Sequence, residues 1–248
     1  MGDNWVSIDR KNANFAKIIK DVIMGLGLYY LGLFVIFLFS IYAQVKVWGA
    51  IKRYSKVPNS LGLSGKEFVE KAAKKLGIPL KVTLARGWLG DYFDPRTNTI
   101  ALSKSVYYEK SVAALGVAAH ELGHAIQKKE GYFWMWIRSA LVPIVPIGTY
   151  LGYFLIILGL AINALGLAEL GLLLFGLMVV FTGVTLPVEF DASRRAYRLL
   201  KEWGMPAEEL QGVKSVLTAA ALTYVAAFAS ALWSFLRMAL IVFGGRRD

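Results

Sequence analysis

The chain has 248 residues, of which 56% are hydrophobic and 18% charged, a more apolar balance than an ordinary soluble domain has. It contains no cysteine, which excludes a disulfide framework and thiol chemistry. Its formal net charge is +11. Because no basic motif rich in aromatic residues accompanies this charge, we expect its partner to be an anionic lipid bilayer and not a nucleic acid.

Four long apolar runs divide the chain. The first follows a polar N-terminal tail at 1–21 and occupies 22–48, which is too long for the apolar part of a signal peptide. Two further runs form a transmembrane hairpin within 139–187, and the last run lies within 215–248. Each run is long enough to cross a hydrocarbon core of about 30 Å. We therefore expect four membrane crossings, which separate two polar segments at 49–138 and 188–214.

The polar segment at 49–138 contains both helix and strand signals. Ser64 and Glu67 have the spacing of a capping box, and the helix that they open is expected to end before Gly77. Alternating residues at 80–84 and a short apolar run at 99–103 predict two strands, with a turn at 94–98 before the second. This pattern indicates a small α+β segment.

A predicted helix at 111–127 carries both histidines of the chain, His120 and His124. Residues four apart lie on the same face of a helix, so both imidazoles can bind one ion. Glu121 follows the first histidine, in the H-E-x-x-H pattern in which two imidazoles hold Zn²⁺ and the glutamate is the general base. A carboxylate between two histidines on a buried helix is hard to explain without a metal, because burying an unpaired charge costs several kcal/mol.

The same helix is rich in small apolar residues and has no proline, as in a buried helix that packs closely against its neighbours. Gly116 and Gly123 each weaken a helix by about 1 kcal/mol relative to alanine. We expect these glycines to let another backbone approach the metal helix.

The third protein ligand must be an oxygen donor, since the chain has no further histidine and no cysteine. Glu189 and Asp191 follow Pro187, which suits the first position of a helix. The two acids point about 200° apart on a helix and cannot both face one ion. Asp191 has Arg195 as an ion-pair partner at i+4, whereas Glu189 faces uncharged residues. The spacing favours Glu189 as the ligand, with Asp191 as the alternative.

Four stretches of the sequence resemble the YugP-type neutral zinc metallopeptidases of bacteria. They are GDYFDPRTN at 90–98, AALGVAAHELGHAIQ at 113–127, LPVEFDASRR at 186–195 and AAALTYVAA at 219–227. The match extends from about residue 40 to the end of the chain, and its first three motifs are specific. More distantly, the arrangement is similar to the HtpX and CAAX-prenyl membrane proteases. The resemblance implies an integral protein of a bacterial or archaeal cell membrane that hydrolyses peptide bonds.

The resemblance also implies roles for individual residues. Zn²⁺ is the implied cofactor, with His120, His124 and Glu189 as ligands and Glu121 as the base, in a gluzincin-like domain built from the metal helix and a short sheet. Three smaller groups are further candidates. They are Asp191 and Ser193 as hydrogen-bond partners of the ligands, Arg194, Arg195 and Tyr197 as donors to the oxyanion, and Thr99, Ile100, Ala101 and Leu102 as an edge strand that pairs with an extended substrate.

We therefore expect an α+β membrane protein with about four transmembrane helices, whose substrates are membrane or membrane-proximal proteins or peptides. Its expected parts are the tail at 1–21, an anchor at 22–48, a peptidase segment at 49–138, a hairpin at 139–187, a third-ligand helix at 188–214 and a last crossing with a basic tail at 215–248. Most Lys and Arg residues adjoin the two polar segments, which places these segments in the cytoplasm. The alternative is a non-proteolytic scaffold or chaperone that holds zinc structurally, although structural sites usually have four protein ligands.

Overall fold

Nine α-helices and three β-strands make up the computed structural model, which describes residues 3–85 and 90–244 and, for residues 3–24 and 26, the backbone alone. In chain order the elements are α1 (Asp3–Tyr54), α2 (Gly65–Leu76), β1 (Lys81–Leu84), β2 (Tyr92–Asp94), β3 (Thr99–Leu102), α3 (Lys104–Tyr108), α4 (Val112–Lys129), α5 (Phe133–Leu141), α6 (Ile144–Ala161), α7 (Leu165–Phe175), α8 (Leu177–Glu202) and α9 (Ala207–Gly244). The side chains of the predicted tail at 1–21 and the C-terminal residues Arg246 and Arg247 lie outside the described part. The prediction of an α+β protein dominated by helices is confirmed.

Four helical stretches are long and apolar enough to cross a membrane. They are Gly27–Tyr54 in α1, Ile144–Ala161 in α6, Leu165–Glu202 across α7 and α8, and Ala207–Gly244 in α9. Large apolar side chains on them face outward, among them Phe34, Phe154 and Leu240. Such a surface is stable where hydrocarbon replaces water as the surrounding medium. The four predicted membrane helices are confirmed.

Glycines let the membrane helices pack closely. A Cβ atom on Gly152 of α6 would lie 2.6 Å from the carbonyl oxygen of Gly171 in α7, so the hairpin backbones touch directly. Gly32 of α1 lies against Trp233 of α9, and Gly212 of α9 lies against Tyr54 of α1. These two contacts show that α1 and α9 run antiparallel along their length.

The helix that carries Glu189 begins earlier than predicted. Pro187 was expected to open this helix, but it lies inside α8, which runs unbroken from Leu177 to Glu202. A proline in a helix removes one backbone hydrogen bond, and membrane helices tolerate the loss where neighbouring helices pack around it. The break falls instead at Gly176, between α7 and α8. Glu189 is therefore rigidly connected to the membrane hairpin.

The three strands form a sheet in the order β1-β3-β2, with β3 parallel to β1 and antiparallel to β2. β3 was expected to be an edge strand open to a substrate, and this expectation is wrong because both of its edges are already paired. The prediction did not include β2, a strand of three residues that ends where the predicted turn begins. In the described part of the chain, the open edges belong to β1 and β2.

A buried core lies beneath the membrane helices and surrounds α4. Its largest members come from different elements and include Phe68 of α2, Ile100 of β3, Leu115 and Leu122 of α4, and Leu200 of α8. The predicted capping box is present at the start of α2, where Ser64 and Glu67 bond to each other's backbone N–H groups. Since α4 is covered by α2, β3 and α8, its histidines are held in a rigid setting.

Candidate metal centre

The helix α4 presents its two histidines to one point. The hydroxyl of Ser111 accepts a hydrogen bond from the backbone N–H of Ala114 at 3.2 Å and caps the helix. His120 and His124 then lie one turn apart, with ring centroids separated by 4.8 Å. The predicted helix and the predicted pairing of the imidazoles are both found in the structure.

Glu189 of α8 meets both imidazoles. Its Oε2 atom lies 3.1 Å from Nε2 of His120 and 3.6 Å from Nε2 of His124, and its side chain is 2% exposed. The ligand atoms of the three residues all lie within 4.8 Å of one another. Ligand atoms around a tetrahedral zinc at about 2.1 Å are separated by roughly 3.4 Å, so this group has the dimensions of a zinc site.

Asp191, the alternative ligand, points elsewhere. Its Oδ2 atom accepts a bond from Nε of Arg195 at 2.5 Å, as the i+4 spacing predicted. Arg195 also pairs with Glu130 at 2.5 Å. Arg195 holds the Asp191 carboxylate outside the group of ligand atoms, and among the described residues Glu189 is the acid that completes the group.

Gly123 explains why α4 and α8 can come this close. A Cβ atom at this position would lie 2.6 Å from the carbonyl oxygen of Ala192 in α8, a separation that backbone atoms cannot accommodate without moving. Gly116 is different, because its Cβ atom would lie 3.5 Å from Val213, an ordinary contact. The expected close approach of another backbone is confirmed at Gly123 and is not required at Gly116.

The outer nitrogen of each imidazole has a hydrogen-bond partner. The Nδ1 atom of His124 lies 2.9 Å from Oε1 of Gln127. The amide nitrogen of Gln127 donates to the carbonyl oxygen of Val188 at 2.8 Å and to Oδ2 of Asp191 at 2.9 Å. Because this nitrogen faces two acceptors, the amide oxygen must accept from His124, which leaves the lone pair on Nε2 directed at the metal position.

His120 is held in the same manner by α8. Its Nδ1 atom lies 3.2 Å from the hydroxyl of Ser193. Ser193 occupies the position expected to bond a ligand, and Asp191 reaches His124 through Gln127. Each histidine therefore has Nδ1 fixed by a neighbour and Nε2 directed at Oε2 of Glu189, where the ion would be held.

Glu121 and Arg138 contribute charge beside the three ligand residues. Glu121 is 7% exposed, and burial raises the pKa of its carboxyl to about 7. Arg138 of α5 places Nη1 at 3.3 Å from Oε1 of Glu189. In the described part of the chain neither that Oε1 atom nor Nε of Arg138 has a hydrogen-bond partner, although both are buried. Two buried carboxylates with one partly buried cation fit a centre that gains a divalent ion.

The expected oxyanion donors lie away from this group. Arg195 is held by Asp191 and Glu130, while Arg194 and Tyr197 line a separate cavity of about 440 Å³ between α8 and α9. Among the described residues, the structure brings two other donors to Glu189, namely Arg138 and the phenol of Tyr224.

Sequence reasoning missed three residues of the centre. Gln127 stands three positions after His124 and ends the motif at 113–127, so its spacing was a usable signal. Tyr224 lies within the motif at 219–227. Arg138 belongs to none of the four motifs, and nothing in the sequence brings it near Glu189.

Comparisons with known proteins agree with this geometry. The family model described as "Putative neutral zinc metallopeptidase" matches residues 29–243, which include α4, α8 and nearly all of the four membrane spans. The chain is also 39% identical over 211 residues to "Putative membrane protease YugP" of Bacillus subtilis (strain 168), which covers 84% of this chain and 94% of that protein. No solved structure matches. The protein is therefore a membrane protein that belongs to the neutral zinc metallopeptidase family, among its YugP-type members.

Proposed function

We propose that the protein is a membrane-embedded zinc endopeptidase that hydrolyses peptide bonds of membrane or membrane-proximal proteins. The observation that supports this most strongly is the convergence of His120, His124 and Glu189 from α4 and α8, with Glu121 beside them. A zinc site with two histidines, one glutamate and an open position is the usual arrangement of zinc peptidases.

Each residue has a distinct task in the proposed reaction. Zinc held by His120, His124 and Glu189 would supply a Lewis acid that activates the attacking water. The carboxylate of Glu121 takes a proton from the attacking water and delivers it to the leaving amine. Burial raises the pKa of the Glu121 carboxyl to about 7, which suits a residue that both accepts and returns a proton.

Tyr224 takes the oxyanion role that was expected of Arg194, Arg195 or Tyr197, and Arg138 orients Glu189. Tyr224 and Arg138 are the donors that lie beside Glu189. Negative charge that develops on the scissile carbonyl oxygen is stabilised most by donors that are already in place. The Tyr224 hydroxyl serves this purpose directly, while Arg138 remains paired with Oε1 of Glu189.

The substrate strand is proposed to pair with β2. β3 is closed on both edges, whereas β2 has one neighbour among the described strands and packs against α4. An extended peptide on this edge gains backbone hydrogen bonds, which do not depend on its side chains. Asp91, directly before β2, contributes to the electrostatic environment of Glu121, which supports a position of this strand near the centre.

We place the catalytic segments on the cytoplasmic side. Basic residues occupy the ends of the helices next to the centre, including Lys52 and Arg53 in α1 and Lys128 and Lys129 in α4. The turn of the membrane hairpin at 162–164 carries no charge. Positive charge concentrates on the cytoplasmic side of membrane proteins, which supports this orientation.

The competing function is a scaffold or chaperone that holds zinc structurally. Purified full-length protein should contain about one zinc per chain, and it should degrade casein until a chelator removes the metal and again after zinc is restored. His120→Ala, His124→Ala and Glu189→Ala should each lose the zinc, while Glu202→Ala, at the exposed end of α8, should keep it. Zinc that stays bound without any casein cleavage would favour the scaffold.

A further inference from the structure

A polar cavity of about 520 Å³ lies between α1 and α9, outside the metal centre. The side chains of Lys46, Gln211, Lys214, Ser215 and Thr218 line it together with the ring of Tyr42. Its remaining lining consists of Ala50, Tyr54, Ala219 and Leu222, so the lining includes no acidic residue. The cavity therefore has a positive charge and several hydrogen-bond donors.

Neither lysine of this cavity has an acidic partner within the described residues. The ammonium group of Lys46 lies 5.5 Å from the centre of the Tyr42 ring, and Lys214 makes no ion pair in that part of the chain. An adjoining cavity of about 300 Å³ shares Lys46 and extends to Arg53. Unpaired cations that face one cavity attract an anion.

The hydroxyls of the cavity are also available to a ligand. Thr182, Thr185 and Thr223 each donate to a carbonyl oxygen of their own helix, the usual behaviour of a hydroxyl inside a membrane helix. Ser215 and Thr218 make no such bond in the described structure, and they stand three positions apart on one face of α9 with Gln211 one turn earlier. Their donors are free to bind oxygen atoms in the cavity.

The position of the cavity identifies the source of the anion. It lies at the ends of α1 and α9 that adjoin the metal segment, near the C-terminal end of the span Gly27–Tyr54 and the N-terminal end of the span Ala207–Gly244. Polar residues at the end of membrane helices lie at the depth of the lipid headgroups. The exposed Trp48 on the same stretch of α1 is typical of that layer.

We infer that this cavity binds the phosphate group of an anionic phospholipid, held by Lys46 and Lys214 and hydrogen-bonded by Gln211, Ser215 and Thr218. Lys214 and Thr218 also line the cavity that contains Ser193, the partner of His120. The bound headgroup therefore lies next to the helix face that supports the metal centre.

Native mass spectrometry of the full-length protein tests this inference. Protein from nanodiscs of phosphatidylcholine with phosphatidylglycerol should retain phosphatidylglycerol, and Lys46→Gln/Lys214→Gln should bind it about 30-fold more weakly, since each lysine near an anionic lipid contributes about fivefold. Lys52→Gln/Lys201→Gln removes the same number of charges, one from the same end of α1 and one from the end of α8, both outside the lining of the cavity, and should bind as the wild type does. If both double variants bind phosphatidylglycerol equally weakly, or if neither binds it more weakly than the wild type, the site is contradicted.

Two further measurements identify the ligand and exclude unfolding. Lys46→Arg/Lys214→Arg keeps both charges and should retain phosphatidylglycerol, so its failure to do so while folded would also contradict the assignment. Inorganic phosphate at millimolar concentration should not displace the lipid. Displacement by phosphate at the concentration that phosphatidylglycerol itself requires would show a site for free phosphate and overturn the lipid as the source.

Discussion

At Glu189 the two carboxylate oxygens meet different partners. Oε2 faces Nε2 of both histidines, and Oε1 faces the guanidinium of Arg138 at 3.3 Å. This division of partners leaves one oxygen for an ion and holds the other in place. Residues that orient a metal ligand commonly change metal affinity 10- to 100-fold when they are lost.

Arg138→Gln should therefore bind zinc about 10- to 100-fold more weakly than the wild type, because the Glu189 carboxylate loses the group that orients it. Competition with a chromogenic chelator measures this affinity. Arg138→Lys should recover part of it, since the charge returns without the planar guanidinium. Arg198→Gln, an exposed arginine on α8, is the matched control and should bind zinc normally. Unchanged affinity in Arg138→Gln would remove Arg138 from the centre.

The residues of this centre differ in how far the sequence could predict them. The four-residue spacing of His120 and His124 settles their common face, because helix geometry alone relates them. The i+4 position of Arg195 favoured Glu189 over Asp191, the family resemblance implied the same ligand, and the ion pair between Asp191 and Arg195 is present. The role of Arg138 could not be predicted, because its contact with Glu189 depends on how α5 packs against α8 and no local spacing encodes that packing.

Among the elements, the contact between α4 and α8 decides whether the ligands meet. Two ligands come from α4 and one from α8, and Gly123 brings these helices together over Ala192. The sequence indicated a close approach at both Gly116 and Gly123, but the helices touch tightly only at Gly123. Composition marks where a backbone can approach, whereas the tertiary fold decides where it does.

Gly123→Ala should destabilise the protein by about 1–3 kcal/mol and weaken zinc binding, because the added methyl group forces α4 and α8 apart. Gly116→Ala adds the same methyl group to the same helix, where it meets Val213 at an ordinary distance. This control should be neutral or more stable by up to about 1 kcal/mol. Thermal unfolding and zinc titration of both variants measure the difference. Equal effects at the two positions would show that helix propensity, and not the α4–α8 contact, controls stability.

Element boundaries were less predictable than element types. The capping box of α2 and the start of α4 at Ser111 were visible because capping is local. Pro187 misled the prediction, since an isolated proline usually opens or ends a helix in water, while α8 continues through it among packed neighbours. The short apolar run of β3 predicted a strand, but whether a strand is central or at an edge depends on its partners, and β2 was too short to recognise.

For the whole molecule, topology and chemistry constrain each other. Between His124 and Glu189 the chain passes through α6 and then α7 and α8, two crossings that return it to the side from which it left. The four apolar runs could be counted from the sequence, because the hydrocarbon core sets their length. Three ligand residues from two polar segments can reach one ion only with an even number of crossings between them.

Single cysteines placed in this cysteine-free chain test the orientation. Lys75 of α2, Asn163 in the hairpin turn and Lys201 of α8 are suitable positions. With the catalytic segments in the cytoplasm, a membrane-impermeant thiol reagent should label Asn163→Cys in intact cells, and it should label Lys75→Cys and Lys201→Cys after the membrane is opened. If Lys75→Cys and Lys201→Cys were labelled in intact cells, the catalytic segments would lie outside the cytoplasm. If these two positions were labelled from opposite faces of the membrane, the three ligand residues could not share one ion.

The central claim is that Glu121 acts as the base of a zinc peptidase centre. Glu121→Gln keeps the shape of the side chain but removes its ability to take a proton. The purified variant should contain as much zinc as the wild type and cleave casein at least about 100-fold more slowly, as loss of a general base typically causes. Glu109→Gln, on an exposed residue before α4, should change neither quantity. Casein cleavage by Glu121→Gln at close to the wild-type rate, with zinc bound, would contradict this account.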